Sequence, residues 1–308
     1  MKISVVTTLY KSKFFLDEFI AGIQIALKQI KCLDYELVFV NDGSPDDSLQ
    51  HLLERKKEIP QIKVLDLSRN FGHHYAIQVG LEYASGDYVF LIDNDLETPP
   101  SVLIDFYKEI TNDRSLDVVY GYQEIRKGNF VEKCTGSIFW VLINKLSDTK
   151  IPHNILTERL MTKQYVESLL HLQDANVFLG GMMHWVGFNQ KGLPIKKGQR
   201  KGESTYSLKS RAELMLQAIT SFSGKPLEWL FYFGLSISFF STLFIIFLIM
   251  QKVIHQDEVQ LGWTSIVAIN VLILGVISTF LGIIGIYIYK IFRQVQGRPN
   301  SIIKKIYD

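Results

Sequence analysis

The stretch "VFLIDNDLETPP", residues 89–100, decides the fold. Val89 to Ile92 form an unbroken apolar run, Asp93, Asp95 and Glu97 follow at once, and Pro99 and Pro100 stop the chain. An apolar run bounded by turn residues reads as a strand buried on both faces. Acids gathered at its end repel one another unless a cation lies between them. Working outward, the same design recurs in "ISVVTTLY" (3–10), "YELVFV" (35–40) and "IKVLDLS" (62–68). Between these runs, Phe15, Phe19, Ile23, Ala26, Leu27 and Ile30 sit at helical spacing, and further helices are expected around 47–58 and 72–84. Strands alternating with helices across short loops predict a mostly parallel, Rossmann-like α/β sheet. Ligands bind at the carboxyl ends of such strands. The clusters "NDGSPDD", "SRNFG" and "DNDLE" all fall there, so they are expected to converge on one cleft.

Beyond residue 115 the pattern is less regular. It predicts a strand over 117–122, a basic loop, helices around 133–147 and 162–172, and a strand near 175–188. A Lys/Arg/Gly-rich loop, "KGLPIKKGQRKGESTY" (191–206), follows. Leu208, Leu214, Met215, Ala218, Ile219 and Phe222 then share one side at helical spacing. That spacing fits a helix lying in a membrane interface, or one packed on the domain's own core.

Charge is nearly balanced, with 33 Lys and Arg against 31 Asp and Glu in 308 residues. This excludes a nucleic-acid binder that works through a global basic field. Cys32 and Cys134 form no metal motif or disulfide framework, which fits a reducing compartment. Apolar residues make up 47% of the chain and concentrate near its C-terminal end. Leu230–Met250 and Trp263–Tyr289 are free of charge, and each exceeds the ~20 residues that cross a bilayer. The linker between them carries Lys252 against Asp257 and Glu258, whereas Lys290, Arg293, Arg298, Lys304 and Lys305 follow the second run. By the positive-inside rule both long ends are cytoplasmic. Nothing at the N-terminus reads as a signal peptide. The expected organisation is a cytoplasmic domain over 1–206, an interfacial helix and linker over 207–228, two transmembrane helices within 229–289 (about 230–250 and 264–288), and a basic cytoplasmic tail over 290–308.

An Asp-x-Asp at the end of a buried strand suits a hard divalent cation, which takes carboxylate oxygens and leaves positions open for phosphate. The motifs then acquire a family likeness. "SVVTTLY", "VFVNDGSPDDS", "LSRNFGHHYAIQVGLEYASGDYVFLIDNDLETPP", "IP…RLM" (151–161), "RKGESTY" (200–206), "ITSFSGKPL" and two terminal spans occur in that order. Together they resemble family 2 glycosyltransferases of the GT-A fold, in the membrane-anchored group that includes dolichyl- and polyprenyl-phosphate sugar synthases. The resemblance implies that Tyr10 and Asp42 bind the base and ribose of a nucleotide-sugar donor. It places Asp93 near the ribose and diphosphate, Asp95 as principal ligand of Mg²⁺ or Mn²⁺, and Glu97 beside that metal. It implies that Arg200 closes over the donor diphosphate, and that Arg126, Lys133, Ser137 and Arg159 bind the acceptor. The pair His73–His74 is read as helix capping or packing.

Three departures from the family pattern stand out. Asn41–Asp42 replaces an acidic pair, "TLYKS" replaces a Pro- and acid-containing motif, and Thr157 stands where many relatives carry an aspartate. Threonine is no base near neutral pH, so Glu158 becomes the candidate for that role. A lipid phosphate is already anionic and needs positioning and charge neutralisation more than a base. The expected function is therefore inverting sugar transfer to polyprenyl phosphate at the bacterial inner membrane, for cell-surface glycan. Transfer to a hydroxyl of a lipid-linked saccharide, with Glu158 as base, stays open, as does a catalytically silent membrane scaffold. Two thin spans suit either a monomer or a homo-oligomer.

Overall fold

The computed structural model describes residues 1–123, 152, 154–175, 177–196, 198, 224–254 and 263–308. The first half alternates as predicted: β1 (Lys2–Leu9), α1 (Leu16–Gln29), β2 (Asp34–Asn41), α2 (Ser48–Glu58), β3 (Ile62–Leu67), α3 (His73–Glu82) and β4 (Tyr88–Leu91). The chain continues through α4 (Val102–Asn112), β5 (Val118–Tyr122), β6 (Ile155–Thr162), α5 (Lys163–Leu170), α6 (Leu179–Trp185) and β7 (Gln190–Pro194). Two long helices, α7 (Lys225–Ile254) and α8 (Trp263–Val295), precede a last strand, β8 (Ile303–Tyr307).

All eight strands join one sheet in the order β7-β5-β6-β4-β1-β2-β3-β8. β4, β1, β2 and β3 run parallel, so their carboxyl ends share one edge. β6 and β8 are antiparallel to their neighbours. From β1 the chain moves outward through β2 and β3, then returns to the other side of β1 as β4. That reversal of winding opens a crevice where parallel sheets take ligands. α1 and α4 bury Phe19, Ile23, Phe106 and Ile110 against one sheet face, while α3, α5 and α6 bury Ala76, Ile77, Tyr165 and Met182 against the other. Burying a large apolar side chain contributes roughly 1.5–3 kcal/mol, so this two-sided core holds the strand ends in place.

Four segments differ from the sequence expectation, one of them Gln190–Pro194, which pairs with β5 as strand β7 where the start of a Lys/Arg/Gly-rich loop is expected. The strand expected near 175–188 is instead helix α6, because Leu179, Met182 and Met183 are buried at i, i+3 and i+4. β6 was unexpected: its central Glu158 and Arg159 are both buried, which hides the strand pattern in the sequence. The basic tail also contributes structure, since Ile303–Tyr307 pairs with β3 as an edge strand. The helices expected over 133–147 and 207–224 lie outside the described residues.

Phe233 of α7 and Phe280 of α8 meet edge to face at 6.0 Å. Both helices turn apolar side chains outward: Phe240 is 65% exposed and Leu281 63%. Among the described residues, one stretch, Ile273–Val295, has the length and hydropathy to cross a membrane. The end of α8 is clamped to the sheet domain. Gln294 donates through Nε2 to the Gln173 carbonyl at 2.8 Å and accepts from the Ala175 N–H at 2.8 Å. Asn300 Nδ2 donates to the Asp174 carbonyl at 2.9 Å.

Two histidines make the fold acid-sensitive. Burial pushes His74 and His184 down to about 4, from an ordinary value of 6.5; the His73 ring and the Arg159 guanidinium, respectively, add to the shift. Both are neutral when folded at pH 7. Between pH 6.5 and 4 the unfolded chain binds more protons than the folded one, so stability falls as pH falls through that window. Each histidine is expected to contribute on the order of 2 kcal/mol to that loss. Thermal melts of the intact protein and of His74→Asn across pH 7 to 4 check it. The variant's melting temperature should fall less steeply, and an identical slope would exclude His74 as a source.

Candidate active site

The site is assembled at the carboxyl edge of β1, β2, β3 and β4. After β2, Asp42 is 3% exposed, and its carboxylate oxygens accept the backbone N–H groups of Phe71 at 2.7 Å and Gly72 at 3.0 Å. These amides lead into α3, so Asp42 places a negative charge at the helix's positive end. The loops approach so closely that only glycine fits at 43. A Cβ there would lie 2.5 Å from the Asn70 nitrogen, and its φ of +59° favours glycine independently. Asp42, the residue expected to read the base, thus also fastens the β2 loop to the β3 loop.

Asn41 is committed elsewhere. Its Nδ2 donates to Asp66 Oδ1 at 2.7 Å and its Oδ1 accepts the Ser44 N–H at 3.2 Å. Both Asn41 and Asp66 are buried, paired across β2 and β3. The asparagine that departs from the family pattern therefore donates to a buried carboxylate.

After β4, Asn94 Nδ2 donates to the Thr8 carbonyl at 2.9 Å and ties the acidic loop to β1. Leu96 takes a left-handed conformation, φ +58°, which is unusual for a side chain of that size. This turn lets the Glu97 N–H reach Asp95 Oδ1 at 3.0 Å, so Asp95 is oriented by its own loop. Gly198 donates its N–H to the Glu97 carbonyl at 2.7 Å. Gly198 therefore lies directly beside the acidic loop. Tyr10 is 45% exposed at the end of β1, available to stack on a planar group.

His73, the first residue of α3, was undervalued in the sequence. Its Nδ1 lies 3.1 Å from Thr8 Oγ1, and its Nε2 lies 3.5 Å from Asp93 Oδ1. Burial holds its pKa below the ordinary value, opposed by the charges of Asp42, Asp95 and Glu158. His73 thus contacts Asp93 and lies within electrostatic reach of acids from other loops. His74 fits the packing role, edge-on to Phe178 at 6.2 Å. A histidine at the first position of a helix that follows a cleft loop is the signal that sets His73 apart.

Glu158 and Arg159 occupy adjacent, oppositely directed positions on β6, 1% and 2% exposed. Arg159 is hydrogen-bonded within its own strand. Its Nε and Nη2 donate to the carbonyls of Thr157 at 3.1 Å and Leu156 at 3.0 Å, and burial lowers its pKa. Two of its three guanidinium nitrogens are thereby bound to carbonyls of its own strand. Glu158 is buried and within electrostatic reach of His73. Arg126, Lys133, Ser137 and Arg200 lie outside the described residues.

This architecture agrees with the comparisons. The model of glycosyl transferase family 2 matches residues 4–170, from β1 through α5. A Mycobacterium tuberculosis protein grouped by name with the glycosyltransferases is 37% identical over 308 residues, covering 100% of this chain and 89% of that protein. The bactoprenol glucosyl transferase of Shigella phage SfII is 31% identical over 307 residues, 99% of this chain and 98% of its own. Among solved structures, a mannosyltransferase from Pyrobaculum calidifontis, in complex with GDP-Man and Mn²⁺, superposes with a TM-score of 0.51 at 14% identity, covering 96% of this chain and 86% of that one. With its strand order, its acidic loop and these full-length relatives, the chain belongs to glycosyl transferase family 2.

Proposed function

We propose that this protein transfers a sugar from a nucleotide-diphosphate donor to polyprenyl phosphate at the cytoplasmic face of a bacterial membrane. The observation that carries this reading is the full-length similarity to a bactoprenol glucosyl transferase, including both terminal helices. Tyr10 and Asp42 would hold the base and ribose, and Asp93 the sugar-proximal part of the donor. Among the described residues, no three His, Cys, Asp or Glu side chains form a closed metal cage. Asp93, Asp95 and Glu97 instead flank an open loop. That donor set suits Mg²⁺ or Mn²⁺, which bind through one or two carboxylates and complete their shell with substrate phosphates. When bound, such an ion would offset charge on the departing diphosphate.

The chain's own residues do the remaining work. Asp95, oriented by the Glu97 amide, would present its carboxylate toward the donor diphosphate. Gly198, two residues before Arg200 in the chain, donates its N–H to the Glu97 carbonyl, which supports a role for Arg200 at the donor diphosphate. The acceptor phosphate attacks the anomeric carbon from the face opposite the leaving diphosphate. One C–O bond forms as the other breaks, so configuration inverts. The acceptor is already an anion and requires no general base. This accommodates Thr157 at the position of an aspartate, with Glu158 buried.

The test incubates the full-length protein in detergent with Mn²⁺, radiolabelled nucleotide sugars and undecaprenyl phosphate. Label entering the lipid fraction supports the reading and names the donor. Donor binding without transfer would redirect it to a saccharide acceptor.

The clamp at the end of α8 sets the height of the cleft above the bilayer. Gln294→Ala removes two of its three side-chain hydrogen bonds. Misplacing reactants by about 1 Å costs up to about 10²-fold in rate. A fall of roughly tenfold in transfer is expected, with donor affinity unchanged. Unchanged transfer would show that the clamp does not set alignment.

A further inference from the structure

A cavity of about 360 Å³ opens between the β3–α3 loop and the cytoplasmic end of α8. Arg69 and Phe71 line it from the loop, Tyr289, Phe292 and Arg293 from α8, and Arg298 from the turn that follows. No carboxylate is among its lining residues. The Arg69 guanidinium lies over the Phe71 ring at 4.1 Å, which fixes its plane. Gln294 and Asn300, the clamp residues, hold the α8 side against the domain.

Arg69 and Arg298 bring guanidinium groups from two separate segments to one small cavity, with Arg293 beside them. Guanidinium forks match phosphate oxygens in pairs, which a single-point ammonium does not. The volume lies within the range of small-ligand pockets. On its α8 side the cavity is continued by Tyr289 and Phe292, 61% and 55% exposed, on the helix that has the length and hydropathy of a span. A ligand seated here would have its anionic part among the arginines and its apolar part along that helix. We propose that this cavity binds the phosphate headgroup of a membrane lipid. The proposal rests on α8 lying in the bilayer and not on the identity of the sugar acceptor. It also has a route to the catalytic cleft, because the N–H of Phe71 is held by Asp42.

The test is native mass spectrometry of the full-length protein in neutral detergent. The added probes are phosphatidylglycerol, undecaprenyl phosphate, phosphatidylcholine and inorganic phosphate, each compared with Arg69→Gln/Arg298→Gln. The protein should retain one anionic lipid per chain at a concentration where the double variant retains about tenfold less. Phosphatidylcholine should be retained weakly and equally by both. Preference for undecaprenyl phosphate over phosphatidylglycerol would identify the polyprenyl monoester as occupant, and equal retention a bulk anionic lipid. Retention of inorganic phosphate but of neither lipid would overturn the lipid assignment. Undiminished retention of every anion by the double variant would overturn the site itself. Both arginines lie on loops, and an unchanged melting temperature guards against misfolding. Lipid retention through these arginines in a protein that glycosylates no polyprenyl phosphate would sink the proposed acceptor and leave this site standing.

Discussion

Asp95→Asn is expected to lower the rate of sugar transfer by about 10³-fold, the scale seen when one charge-stabilising group is removed from a reaction centre. Asparagine keeps an oxygen where Asp95 Oδ1 accepts the Glu97 N–H at 3.0 Å, so the turn through Leu96 survives. Only the negative charge is lost. The side chain is partly exposed at a loop tip, so the melting temperature should move little. Asp95→Ala removes the hydrogen bond as well and should behave the same in catalysis. Raising Mn²⁺ should not rescue either variant, because the residue that would hold the ion is gone. The measurement is initial rate of lipid-linked label against donor concentration, with Mn²⁺ titrated at each point. If Asp95→Asn kept activity within tenfold of the parent, the carboxylate would be an ornament of the turn, and the metal-and-diphosphate reading would fail with it.

How much of this was legible in the sequence depended on whether a residue's partners were near it in the chain. β1 to β4 and their helices could be read because apolar runs and helical spacing are local properties. The convergence of "NDGSPDD", "SRNFG" and "DNDLE" followed from topology alone, since parallel strands must place their carboxyl ends together. β6 could not be read. Glu158 and Arg159 look like exposed charges, yet both are buried and Arg159 hydrogen-bonds its own strand's carbonyls. β8 failed for the opposite reason: Ile303, Ile306 and Tyr307 carry too weak a pattern until β3 offers an open edge. His73 and His74 were indistinguishable in sequence. Their roles separated once α3 turned one toward Asp93 and the other toward Phe178. Asn41 was visible as a departure, but its reason, Asp66, lies on another strand.

That reason leads to the largest expected effect on stability. Asn41→Asp restores the acid usual in relatives and should destabilise this chain by about 3 kcal/mol at pH 7, comparable to leaving a buried charge uncompensated. Asn41 Nδ2 now donates to Asp66 Oδ1 at 2.7 Å, with both residues almost fully buried. An aspartate would keep the bond from the Ser44 N–H. It would also replace the donor with a second carboxylate, and two carboxylates at that distance cannot both ionise without a large penalty. The pair would hold one shared proton to higher pH, titrating as a unit. The folded-state pKa is thereby raised above the unfolded value of about 3.9. The variant's deficit should be small below pH 4, grow as pH rises, and level off above the raised pKa. Chemical denaturation at pH 4.5 and pH 7 measures that difference. The exchange Asn41→Asp/Asp66→Asn supplies the donor from the other strand and should recover most of the loss. A single variant as stable as the parent at pH 7, or a double variant no better than the single, would show that the Asn41–Asp66 bond is incidental. Recovery would instead mean that this chain gave up the second acid of the pair before Gly43 because β3 already supplies a carboxylate, Asp66, at that place.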